Sequence, residues 1–88
     1  MEDAILAQRR RIDEIDSTLV KLLNERARCA LTIGRLKRAS GVPVHDAQRE
    51  EEVLRRVQAE SEGPLPGCSL RRIFAEIITA CRSLQEKL

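Results

Sequence analysis

At 88 residues the chain is long enough for one domain, but an isolated domain of that size buries a modest core, which favours association with another chain. Its charged residues make up 34% and nearly cancel to +2, which argues against a basic field spread over one face for nucleic acid. One aromatic residue, Phe74, and three cysteines at no metal spacing (Cys29, Cys68 and Cys81) point to an aliphatic core in a reduced, cytoplasmic protein.

The first predicted element is a helix from about Asp3 to Ala39. No Gly or Pro occurs before Gly34, and Ile5, Ile12, Leu19 and Ile33 fall on one seven-residue row. Ile15, Leu22, Cys29 and Leu36 form the companion row, so the two rows make a helical seam. At about 1.5 Å per residue such a helix is a rod of about 50 Å. A compact chain of this length has an expected radius of gyration of about 12 Å. The rod is too long to be covered within one subunit, and an intertwined oligomer is expected. Neither a leader-like apolar stretch in MEDAILAQRRR nor a membrane-spanning run is present, so no membrane partner is expected.

Ser40-Gly41-Val42-Pro43 ends the first helix. Asp46 is a suitable N-cap for a second helix over about 46–61, with acids near its positive end. The run from Glu62 to Gly67, EGPLPG, reads as a rigid linker. A third helix is expected over about 69–87, its stripe formed by Leu70, Ile73, Phe74, Ile77, Ile78, Cys81 and Leu84. The fold class is therefore all-α: one domain over residues 1–88, with one long and two shorter helices.

Several polar residues stand where apolar ones belong. Arg26 takes the place between Leu19 and Ile33 on the seven-residue row, and Lys37 follows eleven residues later on nearly the same face. Glu50 precedes Val53 by three residues and Val57 by seven, whereas Glu51 and Glu52 fall on the solvated side. Arg49 borders the stripe, able to support Glu50 or point outward. Gln85 lies seven residues after Ile78 and four after Cys81. Arg9 lies beside the seam, the one member of Arg9-Arg10-Arg11 placed to reach a partner's interior.

A buried polar group without a partner costs on the order of 1–3 kcal/mol, and a buried charge more. These residues either satisfy one another, as Arg26 with Glu50, or face a small ligand whose carboxylates match the cations. The second reading gives Lys37 and Gln85 a purpose that the first does not. With His45 as the only histidine, placed in a loop, no Ser-His-Asp or Cys-His arrangement is available. Metal and phosphate-loop motifs are also missing, so no cofactor or metal is expected. Any catalysis would rest on electrostatics and positioning.

These residues at these spacings resemble the all-helical chorismate mutases over nearly the whole chain. The resemblance is carried by RRRIDEIDSTLVKLLNERARCALTIGRLK, with its I-D-x-I-D, L-L-N-x-R and G-x-x-K patterns. It continues through VPVHDAQREEEVL, which holds D-x-x-R-E, and IFAEIITACRSLQ, which ends in the glutamine of the third helix. The resemblance implies an intertwined homodimer acting on chorismate to give prephenate in aromatic amino-acid biosynthesis. It implies that Arg9 from the partner chain and Arg26 clamp the substrate carboxylates. Lys37 would hold a carboxylate and the ether oxygen, and Gln85 would donate to that oxygen. Glu50 and the backbone around Asp46 would bind the ring hydroxyl, with Arg49 supporting the pocket. Cys81 stands where some relatives carry a serine.

Such domains also occur fused to other aromatic-pathway enzymes, so a fusion partner is compatible with the resemblance. Three other functions compete: an isochorismate–pyruvate lyase on the same scaffold, a non-catalytic dimerisation or regulatory module, and a helix-turn-helix DNA binder. The D-x-x-R-E block favours the mutase over the lyase, and the near-neutral charge disfavours DNA.

Overall fold

The computed structural model describes all 88 residues. The chain forms three helices, α1 (Glu2–Ala39), α2 (Ala47–Glu60) and α3 (Gly67–Glu86), and no strand. The all-α architecture expected from periodicity is the one observed.

Helix α1 runs unbroken for 38 residues, with Glu2 and Asp3 at its positive end and Lys37 and Arg38 at its negative end. It stops in a Schellman arrangement. Val42 N donates to Lys37 O at 2.9 Å and Gly41 N to Arg38 O at 3.2 Å, with Gly41 in the left-handed region at φ 70°. This turn fixes the end of α1 and hence the position of Lys37. Helix α2 starts where Asp46 accepts a hydrogen bond from Arg49 N at 3.0 Å.

Helix α3 begins at Gly67, two residues before the expected Ser69. Ser69 has the residue type of an N-cap, but its N–H and that of Leu70 both donate to Pro66 O, so the helix is already under way there. Gly67 serves close packing: a Cβ built on it would stand 2.5 Å from Gln58 O of α2. A tight crossing of the two helices is possible only without that side chain.

Helix α3 packs against both of the others, while α1 and α2 stay apart. The core is small, with Val53, Val57 and Ile78 buried and Leu54 and Phe74 packed against them. Only five of the 88 residues are buried in all. The molecule measures 59 × 24 × 14 Å with a radius of gyration of 16.5 Å, well above the compact expectation. Every residue from Met1 to Glu25 is exposed, including the seam residues Ile5, Ile12, Ile15, Leu19 and Leu22. Despite its length, α1 is not apolar enough to cross a membrane, and neither is any other helix.

Candidate active site

The separation of α1 from α2 leaves a cavity of about 270 Å³ between them, floored by α3. Helix α1 contributes Arg26, Ala30, Ile33 and Lys37, all on the face set by the seven- and eleven-residue spacings. Val44 and Asp46 come from the connection, and Arg49, Glu50 and Val53 from the first two turns of α2. Helix α3 supplies Ile78, Cys81, Arg82 and Gln85. Every site residue expected from sequence lines this one cavity except Arg9. That residue lies 17 positions before Arg26, about 25 Å away along the helix, and is fully outside the cavity of its own chain.

The donors are held by neutral partners. Arg26 Nη1 donates to Cys81 Sγ at 3.2 Å, and Lys37 Nζ to Val44 O at 3.3 Å. Gln85 Nε2 donates to Ala30 O at 2.7 Å, which anchors the amide against α1. Gly34, the only buried residue of α1, makes that approach possible. A Cβ there would meet Gln85 Cγ at 3.1 Å and Leu88 Cδ1 at 2.9 Å. Each donor keeps unused capacity, since an ammonium has three N–H groups, an amide two and a guanidinium five.

The carboxylates behave differently. Asp46 is engaged as the α2 cap. Glu50 accepts from Arg82 Nη1 with both oxygens, at 2.7 and 2.8 Å, and His45 Nε2 lies 3.6 Å from its Oε2. The pairing of Arg26 with Glu50, one of the two arrangements compatible with the sequence, is therefore not formed. Arg82 reaches Glu50 instead, and Arg26 and Lys37 enter none of the chain's ion pairs. Arg49 directs its guanidinium outward to Glu52 at 3.1 Å, while its backbone N–H completes the Asp46 cap. Arg82 is the cavity residue that sequence reasoning passed over. Its signal was available, because it lies four positions after the buried Ile78 and so borders the apolar stripe.

Two inward cations without carboxylate partners, beside an amide donor and an apolar wall, suit a small organic anion carrying a polar ether or carbonyl oxygen. The family model for chorismate mutase type II matches residues 8–86. The chain belongs to this family.

Among chorismate mutase relatives, the bifunctional chorismate mutase/prephenate dehydratase of Neisseria gonorrhoeae is 39% identical over 88 residues, covering all of this chain and 24% of that protein. The bifunctional enzyme of Aquifex aeolicus is 38% identical over 84 residues, covering 91% of this chain and 23% of the relative. The chain thus spans about a quarter of the length of these relatives. Among solved structures, chorismate mutase (form II) from Thermus thermophilus superposes with a TM-score of 0.91 at 40% identity, covering 93% of both chains.

Proposed function

We propose that the chain is a chorismate mutase, converting chorismate to prephenate as a cytoplasmic homodimer in aromatic amino-acid biosynthesis. The observation that carries this reading is the pair Arg26 and Lys37, facing one cavity with Gln85 and left without carboxylate partners. Arg26 and Arg9 of the partner subunit clamp the substrate carboxylates. Lys37 holds a carboxylate and the ether oxygen, and the free N–H of Gln85 donates to that oxygen. Glu50 and the backbone near Asp46 receive the ring hydroxyl, and Arg49 supports the wall.

The reaction is a concerted Claisen rearrangement: the ether C–O bond breaks while a C–C bond forms between the enolpyruvyl arm and the ring. No proton moves and no covalent intermediate forms. The site therefore has two tasks. It must hold the flexible arm over the ring, removing a conformational cost before the barrier is climbed. It must also stabilise the negative charge that grows on the ether oxygen, the task given to Lys37 and the free N–H of Gln85. Both interactions strengthen as the C–O bond lengthens, so they favour the transition state over the ground state. The relatives' fusion to prephenate dehydratase is consistent with a product that a second domain consumes.

The test is to incubate the purified protein with chorismate, follow loss of the diene absorbance and identify the product. Prephenate is expected. A folded dimer inert toward chorismate would overturn the reading, and pyruvate release from isochorismate would then separate the lyase from an interaction module.

A further inference from the structure

The contact that the mutase chemistry leaves unused is the one made by Arg82. This residue takes no part in burying the core, yet its Nη1 sits between both oxygens of Glu50 at 2.7 and 2.8 Å. The pair is largely shielded, with side chains 28% and 25% exposed. His45 Nε2 approaches the same Nη1 at 3.2 Å, and the exposed Glu86 reaches Arg82 Nε at 3.7 Å. Glu50 is thus tied between α2 and α3 by a cation that also lines the cavity.

Alone, Glu50 would be an unfavourable neighbour for a substrate with two carboxylates. Its charge would repel the ligand, and a free side chain would have several rotamers from which to meet the ring hydroxyl. Arg82 removes both problems, because it neutralises the carboxylate and fixes its plane while leaving oxygen lone pairs free to accept. We propose that Arg82 is a positioning residue for the substrate's ring hydroxyl, acting through Glu50, with His45 as a second support. The inference rests on the mutase reading and on the role given there to Glu50.

Because a hydroxyl contact of this kind is made in the ground state and the transition state alike, its loss belongs in KM more than in kcat. Arg82→Met is expected to raise KM for chorismate about tenfold with kcat within about twofold, the size of one misaligned charge-assisted hydrogen bond. Arg82→Lys is expected to recover most of that loss, since a single nitrogen makes both contacts to Glu50. In a Glu50→Gln background, Arg82→Met is expected to add nothing further, whereas a role in stability or direct substrate contact would add its full cost.

The experiment is steady-state kinetics on wild type, the two single variants at Arg82, Glu50→Gln, and the Glu50→Gln/Arg82→Met double variant. Dimer content and thermal midpoint are measured alongside. A KM effect that vanishes in the Glu50→Gln background supports the proposal. An unchanged KM, a loss in kcat alone, or additive losses would overturn it while leaving the mutase reading intact. A wild-type protein inert toward chorismate would overturn both.

Discussion

Arg26 and Lys37 each rest on an acceptor that is not a carboxylate. A thiol sulfur and a backbone carbonyl hold the two donors in the free chain, so no ion pair must break when an anion enters. Replacing Lys37 with Met keeps the stem and removes the charge. It is expected to lower kcat by about 10²–10³-fold, the scale of losing one preorganised donor at a developing oxyanion. Dimer content should be unchanged, and gel filtration of the variant checks it. A lysine that only set helix register would show the opposite pattern. With the amide of Gln85, and not a carboxyl group, as the proposed second donor, no proton would have to be gained before it donates. Activity is therefore expected to hold through neutral and mildly basic pH, and a rate that rises only in acid would count against Gln85 in this role. Residue types on the wrong face made Arg26, Lys37, Glu50 and Gln85 legible in the sequence. Their actual partners were not legible, because pairing depends on which helices touch: α3, not α1, lies within reach of Glu50.

At the scale of elements, the cavity exists because α3 separates the other two helices, and two glycines set how closely it lies against them. Gly67 admits the carbonyl of Gln58, and Gly34 admits the side chain of Gln85. Gly34→Ala gains about 1 kcal/mol of helix propensity, which offsets much of the crowding it introduces. Its Cβ would press on Gln85 Cγ at 3.1 Å. The variant is expected to melt within a few degrees of wild type while kcat falls several-fold, a divergence that calorimetry and kinetics together would detect. Asp46→Ala removes the α2 cap and should cost about 1 kcal/mol of stability by urea titration. It should also weaken substrate binding, because the turn it holds carries Glu50. The long helix and the breaks after it were readable from uninterrupted periodicity followed by Gly and Pro. The start of α3 was displaced by two residues because Ser69 looks like a cap, whereas Gly67 is tolerated in the first turn for its packing against α2.

For the whole molecule, the decisive quantity is what remains uncovered. Five buried residues are too few to hold a free-standing domain, and residues 1–25 contact nothing within their own chain that hides them. The mismatch between rod length and chain length makes this readable in the sequence itself. A second copy laid along the exposed seam would bury Ile5, Ile12, Leu19 and their companions and would carry Arg9 toward the other chain's cavity. Such a site would draw Arg26 from one chain and Arg9 from the other, which two defective proteins can reveal. Arg9→Ala and Arg26→Ala variants are each expected to be nearly inactive as homodimers. When they are mixed in equal amounts, unfolded and refolded together, half of the dimers are mixed, and each carries one intact and one doubly defective site. Prephenate formation should return to about a quarter of the wild-type rate. Refolded mixtures that form dimers yet stay as inactive as the separate variants would contradict a catalytic pocket completed by a second chain.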